Sequence, residues 1–177
     1  MKLKINYILE KSKVQGPGNR FTIWVQGCSI RCPGCNNKDT WDFNAGKWVD
    51  VDQLSTQIIK SNVDGLTLSG GEPLEQFPAV FRLVKKVFEF KNIFLCSGYL
   101  FKYIKSNYKE ILDFVDIICA GPFDATKICQ SQWKGSENQQ VIYLTDRGKT
   151  IQNLPIYKKE YRINKRTGEI ILTGFSV

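Results

Sequence analysis

The chain has 177 residues, 42% hydrophobic and 24% charged, which is typical of a single globular domain. No apolar run reaches the ~20 residues that a membrane span needs. No signal peptide is expected, so we predict a cytoplasmic protein. The chain contains no histidine, which excludes Ser-His-Asp and Cys-His nucleophile pairs and histidine-ligated zinc. Any chemistry must therefore use cysteines, carboxylates or a bound cofactor.

The net charge of +8 is concentrated at the two ends of the chain. Residues 1–20 and 145–177 carry the excess of lysine and arginine, while residues 21–144 hold equal numbers of basic and acidic side chains. Nucleic-acid-binding surfaces usually combine clustered basic residues with stacking aromatic ones, and residues 157–162 show only a weak form of that pattern. We therefore expect neither nucleic acid nor a membrane as a partner. Docking of the basic ends to an acidic protein is a hypothesis.

Four short apolar segments that end near glycine predict buried β-strands. In chain order they are residues 21–26, 65–68, 92–96 and 115–119. The segments between them space their apolar residues as helices do. The predicted helices are residues 51–61, 77–90 and 99–114. Alternating strands and helices favour an α/β fold with a parallel sheet that is covered on at least one face.

The pattern changes after Pro122. Residues 139–145 predict another strand, and residues 161–164 and 169–173 predict a β-hairpin whose turn is at residues 165–168. We therefore predict one domain over residues 1–177. Its core is expected at about 16–145, with a β-rich C-terminal appendage at about 146–177.

The loops after the four predicted strands all contain glycine. In parallel βα folds, the carboxyl ends of the strands lie at one rim, and ligands bind there. The loop after the first strand carries three cysteines, and the loop after the second contains a Gly-Gly-Glu-Pro segment at residues 70–73. The sequence therefore predicts that the cysteine loop and the Gly-Gly-Glu-Pro loop face each other across one site.

Cys28, Cys32 and Cys35 form a C-x3-C-x2-C pattern. In a reducing compartment such cysteines are expected to be metal ligands or buried thiols rather than disulfides. A structural zinc site requires four protein ligands, and this loop supplies three. A 4Fe–4S cluster held by three thiolates leaves one iron open to another ligand. We favour the cluster over a zinc site completed by a distant cysteine.

These motifs resemble those of the radical S-adenosylmethionine (SAM) enzymes. The resemblance rests on the three cysteines, the Gly-Gly-Glu-Pro loop and segments at residues 16–20, 97–99, 121–123 and 133–139. Within that superfamily the chain is similar to the activating proteins of anaerobic ribonucleotide reductase, which are glycyl-radical activases. The resemblance implies a partial (β/α) TIM-like barrel of the radical SAM type with a C-terminal β-hairpin appendage.

The resemblance also implies a site and a reaction. Cys28, Cys32 and Cys35 would be the catalytic cysteines that bind a 4Fe–4S cluster, and SAM would chelate the open iron. Reductive cleavage of SAM would give a 5′-deoxyadenosyl radical that takes hydrogen from a glycyl-radical partner protein. A flavodoxin- or ferredoxin-type protein would donate the electron. The residues assigned to SAM are Asn37, Ser69, Gly70, Gly71, Glu72, Pro73, Ser97 and Tyr99.

Two alternative functions stay open. One is a small-molecule radical SAM enzyme of the 7-carboxy-7-deazaguanine synthase type, and the other is a non-catalytic zinc or iron–sulfur binding module. The roles of two further cysteines are open as well. Cys96 and Cys119 end predicted strands at the same rim, and we interpret them as small buried hydrophobic residues. The alternative is a thiol that acts near the active site as a radical relay or an extra ligand.

Overall fold

The structure is a computed structural model that describes residues 1–129, 133–154, 157, 159–163, 168 and 170–174. Seven strands form a mixed sheet in the order β3-β1-β2-β4-β5-β6-β7. Their bounds are β1 (Lys2–Ser12), β2 (Arg20–Val25), β3 (Lys47–Asp50), β4 (Gly65–Gly70), β5 (Asn92–Ser97), β6 (Ile117–Ala120) and β7 (Gln140–Tyr143). Strands β2, β4, β5 and β6 are parallel, as predicted. Strand β1 pairs antiparallel with β2 and β3, and β7 pairs antiparallel with β6. The predicted α/β class is confirmed, with a mixed sheet.

Helices follow or connect these strands. The α-helices are α1 (Val51–Lys60), α2 (Phe77–Val87), α3 (Phe101–Asn107) and α4 (Asp146–Ile151). Short 3-10 helices lie at Lys38–Thr40, Pro73–Gln76, Lys109–Phe114 and Ala125–Lys127. Helix α1 begins after Asp50, whose carboxylate accepts hydrogen bonds from the backbone N–H groups of Asp52 (2.9 Å) and Gln53 (3.1 Å). That cap fixes where α1 leaves the edge strand β3.

Helices α1 and α2 pack on one face of the sheet and form the main core with it. Alternate residues of the central strands point to this face, because successive side chains of a strand lie on opposite sides. Leu66 and Leu68 of β4 and Ile93 and Leu95 of β5 are fully buried there. The core therefore supports the sheet from one side and leaves the other side for the site.

The opposite face of the sheet carries more polar and sulfur-containing side chains. In the parallel registers, Trp24 of β2 pairs with Ser69 of β4, and Cys96 of β5 pairs with Cys119 of β6. Residues paired across a sheet point to the same face. All four of these side chains line a cavity on this face.

The predicted helix over residues 99–114 is divided into two segments in the structure. Helix α3 ends at Asn107, and the 3-10 helix Lys109–Phe114 follows. Tyr108 separates them because its backbone, with φ −139° and ψ 34°, lies outside the helical region. Helix α2 ends at Val87, which is earlier than the predicted end at residue 90.

Three elements have no counterpart among the predicted ones, namely β1, β3 and α4. In β1, buried Leu3 and Ile5 alternate with the less buried Lys2 and Lys4, which is the pattern of a half-buried strand. Helix α4 begins the segment predicted to be β-rich. The hydroxyl of Thr145 caps α4 by accepting a hydrogen bond from the Gly148 backbone N–H (3.0 Å).

A separate two-stranded antiparallel sheet pairs β8 (Lys159–Ile163) with β9 (Ile170–Gly174). Apart from Gly168, the turn predicted between them lies outside the described residues. Glu160 of β8 accepts a hydrogen bond from the hydroxyl of Ser12 at the end of β1 (2.9 Å). In the part of the chain that the structure describes, no helix combines the length and apolar character needed to cross a membrane.

Candidate functional site

The loops after the four parallel strands meet around one cavity of about 150 Å³. Nine of the eleven residues singled out from the sequence line this cavity, as do residues of the loops after β5 and β6. The nine are Cys28, Cys32, Cys35, Asn37, Ser69, Gly70, Gly71, Glu72 and Ser97. The cysteine loop and the Gly-Gly-Glu segment therefore lie on the same cavity, at the carboxyl ends of the strands.

A larger cavity of about 500 Å³ adjoins the first and extends along the face of the sheet opposite α1 and α2. Its wall contains the aromatic side chains of Trp24, Phe94 and Trp133. Seven residues line both cavities, and these are Cys35, Asn37, Ser69, Cys96, Cys119, Phe123 and Gln139. The two cavities therefore lie side by side and share part of their wall.

The cysteine loop is held at its start by backbone hydrogen bonds to the segment that follows it. The Gly27 N–H donates to the Thr40 carbonyl (2.7 Å), and the Cys28 N–H donates to the Trp41 carbonyl (3.3 Å). Gly27 has φ +100°, and a Cβ there would lie 2.5 Å from the ring of Phe43. Glycine is needed at this position because both the backbone conformation and the space exclude a side chain.

Glu75, on the opposite side of the cavity rim, also holds the cysteine loop by hydrogen bonds. Its carboxylate accepts hydrogen bonds from the backbone N–H and the hydroxyl of Ser29, the residue after Cys28. The phenol of Tyr99 also donates to Glu75 (3.3 Å). The 3-10 helix that follows the Gly-Gly-Glu segment thus sets the position of the cysteine loop.

Glu72 lies in the cavity wall and is almost fully buried, with 1% of its surface exposed. Its carboxylate accepts hydrogen bonds from the Gly98 N–H (2.7 Å), the Ser97 hydroxyl (2.9 Å) and the Leu74 N–H (3.0 Å). These bonds join the loop after β4 to the loop after β5. Burial raises the pKa of Glu72 to about 7, although the hydrogen bonds favour the ionised form.

Gly70 and Gly71 allow the two loops to approach each other. A Cβ on Gly71 would lie 2.1 Å from the Gly27 carbonyl oxygen, and a Cβ on Gly70 would lie 2.5 Å from the Val25 nitrogen. The backbone continues this contact, because the Glu72 N–H donates to the Gly27 carbonyl (2.9 Å). Both glycines are therefore required by the packing of the β4 end against β2 and the cysteine loop.

The donor set of the cysteine loop fits an iron–sulfur cluster. Cys28 and Cys32 are thiols whose pKa burial raises, and the Asn37 backbone N–H donates to the Cys35 sulfur (3.4 Å). Among the described residues, no three cysteine, aspartate or glutamate side chains converge closely enough to hold a single metal ion. A cubane cluster binds each thiolate at a different iron, so its ligands are spread around a volume rather than one point.

Two of the residues singled out from the sequence lie outside the cavity wall. Pro73 is buried as the first residue of the 3-10 helix Pro73–Gln76. The ring of Tyr99 packs against Tyr103 (4.9 Å between ring centroids) and Tyr108 (6.1 Å). Both residues contact the elements that hold the loops.

Comparisons with known proteins place the chain in a family. Residues 14–142 match the family described as "4Fe-4S single cluster domain". The anaerobic ribonucleoside-triphosphate reductase-activating protein of Enterobacteria phage T4 is 37% identical over 141 residues, which cover 75% of this chain and 89% of that protein. The protein of that name from Escherichia coli strain K12 is 34% identical over 143 residues, covering 74% and 92%. This chain belongs to the family of these activating proteins. The family predicted from the motifs is confirmed.

A solved structure gives a more distant likeness to this family member. The crystal structure of QueE from Escherichia coli aligns with a TM-score of 0.46 and 18% sequence identity, covering 55% of this chain and 53% of that one.

Three features of the site have no counterpart in the sequence motifs of this family member. Glu75 anchors the cysteine loop at Ser29. Gln26 is buried and donates to the carbonyls of Asp39 (3.1 Å) and Asp42 (2.7 Å). Trp24 lines the larger cavity. A polar residue such as Gln26 at the end of an otherwise apolar strand is a signal for a buried hydrogen-bonding role.

Proposed function

We propose that this chain is a radical SAM activase that generates a glycyl radical on an anaerobic ribonucleoside-triphosphate reductase. The observation that carries the proposal is the single cavity whose wall contains the three loop thiols and the Gly-Gly-Glu backbone. The relatives named activating proteins of that reductase support the choice of partner.

Cys28, Cys32 and Cys35 would hold the 4Fe–4S cluster as thiolates, with the fourth iron left for the amino and carboxylate groups of SAM. When bound and reduced, the cluster supplies the electron that cleaves the sulfonium of SAM and starts the radical chemistry. The match of residues 14–142 to a 4Fe–4S domain supports the cluster over the zinc alternative. The Asn37 N–H, which donates to the Cys35 sulfur, would stabilise that thiolate.

The remaining residues would bind SAM and exclude water. Glu72 presents a buried carboxylate that can pair with the positive charges of SAM, and Ser97 orients that carboxylate through its hydroxyl. Ser69, Gly70 and Gly71 present backbone without bulky side chains to the cavity. A hydrogen-atom transfer requires no side chain as a neutral-pH base, which is compatible with a chain that contains no histidine.

Pro73 and Tyr99 would act as positioning residues rather than direct SAM ligands. Pro73 begins the 3-10 helix that carries Glu75. Tyr99 donates to Glu75, which in turn holds Ser29 beside Cys28. Both residues would therefore position the cysteine loop indirectly, through Glu75.

The overall shape proposed for the chain is a single radical SAM domain with a partial (β/α) barrel and a C-terminal β-hairpin. The four parallel strands, whose following loops meet at one cavity, support it. We further propose that a flavodoxin- or ferredoxin-type protein reduces the cluster and that the protein works in the cytoplasm.

The first experiment tests the cofactors. Anaerobic reconstitution with iron and sulfide is expected to give about four of each per chain, and dithionite with SAM is then expected to release methionine and 5′-deoxyadenosine. Cys35→Ala should lower the iron content and abolish SAM cleavage, while Cys129→Ala should do neither. One bound zinc per chain without SAM cleavage would instead support the binding module.

The second experiment tests the partner. The reconstituted protein is mixed anaerobically with SAM, dithionite and an anaerobic ribonucleoside-triphosphate reductase that has its glycine-containing C-terminal segment. Electron paramagnetic resonance should then show a glycyl radical on the reductase. Replacement of that glycine by alanine should remove the signal. SAM cleavage that never yields the signal, but turns over with a pterin substrate, would favour the small-molecule enzyme.

A further inference from the structure

Two cysteines outside the C-x3-C-x2-C loop lie in the wall of the site. Cys96 and Cys119 are direct register partners on the adjacent parallel strands β5 and β6. Both line the smaller cavity with the Gly-Gly-Glu segment and the larger cavity beside it. The pair therefore lies in the wall that the two cavities share, on the face of the sheet opposite α1 and α2.

The surroundings keep both groups protonated. Burial raises the pKa of Cys119 to about 12, and burial raises the pKa of Cys96 well above its usual value. Cys119 is 3% exposed, while Cys96 is partly accessible because it faces the cavity. Ser69 lines both cavities together with Cys96. Each residue therefore presents an S–H group rather than a thiolate.

The S–H groups differ chemically from the rest of the shared wall. The other residues that line both cavities are Cys35, Asn37, Ser69, Phe123 and Gln139. Cys35 would be a cluster ligand without a proton, and the hydroxyl, amide and aromatic groups hold their hydrogens through stronger bonds. An S–H bond is weaker than the C–H bond formed when a primary carbon radical gains a hydrogen atom. Transfer from sulfur to such a radical is therefore downhill.

We propose that Cys96 and Cys119 donate a hydrogen atom to the SAM-derived radical when no partner glycine is in place. This proposal rests on the proposed function. In the step, the S–H bond breaks, a C–H bond forms at the 5′ carbon of the deoxyadenosyl group, and the unpaired electron moves to sulfur. The sulfur radical regains an electron from the reductant, here dithionite, and a proton from water. The thiol pair thus acts as a hydrogen-donor site that ends unproductive cleavage without damage to the protein.

The test uses the exchange of S–H protons with solvent. The reconstituted protein is turned over with SAM and dithionite in deuterium oxide, without partner and without a thiol reductant, and the 5′-deoxyadenosine is analysed by mass spectrometry. Wild-type protein is expected to release mostly deoxyadenosine with a deuterium at the 5′ carbon. Deoxyadenosine without deuterium would overturn the proposal, because a carbon-bound donor would then be the source. Absence of any deoxyadenosine would instead refute the proposed function.

Variants identify the donors. Cys96→Ala and Cys119→Ala together should remove most of the deuterium from deoxyadenosine. The matched control is Cys129→Ala, since Cys129 lines the larger cavity alone and should leave the label unchanged. Label that persists in the double variant, with the cluster absorbance intact, would contradict the assignment. If the double variant loses its cluster, the proposal is tested by the deuterium content of deoxyadenosine from the two single variants and from wild-type protein.

A second measurement needs no turnover. With the cluster oxidised, alkylation by iodoacetamide is followed peptide by peptide at alkaline pH, where a fraction of the Cys96 thiol ionises and reacts. SAM is expected to slow the alkylation of Cys96, because SAM would fill the cavity against this thiol. Cys129 should be slowed much less. Equal rates for Cys96 with and without SAM would overturn the proposal, since the reacting carbon would not lie against the pair.

Discussion

Glu72 combines two properties that together make it sensitive to pH. Its carboxylate is buried, and three hydrogen bonds hold it in the cavity wall. Burial raises its pKa to about 7, so this carboxyl group is protonated over a pH range in which exposed glutamates are ionised. A positively charged ligand such as SAM binds the ionised carboxylate better than the protonated one. Where Glu72 is protonated, the binding of SAM must therefore displace the proton of its carboxyl group.

The first prediction concerns the pH dependence of SAM binding. Below about pH 7, the affinity of wild-type protein for SAM should fall as pH falls, by up to about tenfold per pH unit for one coupled proton. Glu72→Gln should bind SAM more weakly at alkaline pH and lose this dependence. Anaerobic equilibrium dialysis with the oxidised cluster measures both effects. The exposed Glu89→Gln is the control, and parallel pH curves for Glu72→Gln and wild type would contradict the prediction.

The second prediction concerns the space at Gly71. A Cβ there would overlap the Gly27 backbone oxygen, and backbone cannot move aside as a side chain can. Gly71→Ala should therefore lower the free energy of unfolding by roughly 1–3 kcal/mol and reduce cluster incorporation. Gly98→Ala is the matched control on the same rim. Its Cβ would lie 2.7 Å from the flexible end of the Ile30 side chain and 3.6 Å from the Glu72 carboxylate, with no backbone atom in the way. Thermal unfolding and iron content are the measurements, and equal effects of the two changes would refute the explanation.

Among the elements, the 3-10 helix Pro73–Gln76 links the two loops of the site. Glu72 caps its start, and Glu75 on its first turn binds Ser29 of the cysteine loop. Gln76 at its end donates to the carbonyls of Lys4 and Gln26, which lie on and after the neighbouring strands. A four-residue helix thus connects the Gly-Gly-Glu segment, the cysteine loop and the strands β1 and β2.

The third prediction tests that link. Glu75→Ala removes the acceptor of two hydrogen bonds from Ser29, so the cysteine loop should become more mobile beside Cys28. We expect a loss of roughly 1 kcal/mol in stability and faster loss of the cluster in the presence of an iron chelator. The rate of decay of the cluster absorbance measures this effect. Glu89→Ala, which changes an exposed glutamate, serves as the comparison, and equal decay rates would argue against a positioning role for Glu75.

For the whole molecule, a buried carboxylate joins α4 to the strands β5 and β6. Asp116, just before β6, is fully buried and accepts hydrogen bonds from the Ile93 N–H (2.7 Å) and from Arg147 (2.9 Å). Arg147 also donates to the Phe88 carbonyl at the end of α2 (2.9 Å). One side chain of α4 therefore connects β6 and α2 at the end of the sheet away from the site.

The fourth prediction follows from that burial. Arg147→Ala leaves the Asp116 carboxylate buried without its charged partner and should reduce the free energy of unfolding by roughly 2–3 kcal/mol. The loss is smaller than for a fully buried ion pair, because Arg147 itself is partly exposed to solvent. Lys149→Ala in the same helix breaks an exposed pair with Asp146 and should cost less than about 0.5 kcal/mol. Chemical denaturation of the two variants measures the difference. Similar losses would mean that the Asp116 contact does not stabilise the fold.

The sequence by itself determined the order of the central elements and most of the predicted residues that line the cavity. Apolar runs and helical spacing depend on neighbouring residues, so the strands β2, β4, β5 and β6 and the helices α1 and α2 could be predicted locally. The spacing of Cys28, Cys32 and Cys35 is local in the same way. Because parallel strands bring their carboxyl ends together, the meeting of the cysteine loop with residues 69–72 also followed from strand order.

Only the tertiary structure decided how these residues act on one another. Glu72 is buried and accepts hydrogen bonds from Ser97 and Gly98, and Glu75 accepts hydrogen bonds from Ser29. These contacts join residues that are distant in the chain. The pairing of Cys96 with Cys119 likewise depends on strand register. Register and burial result from the packing of the whole sheet against its helices, and no local pattern of residues specifies them.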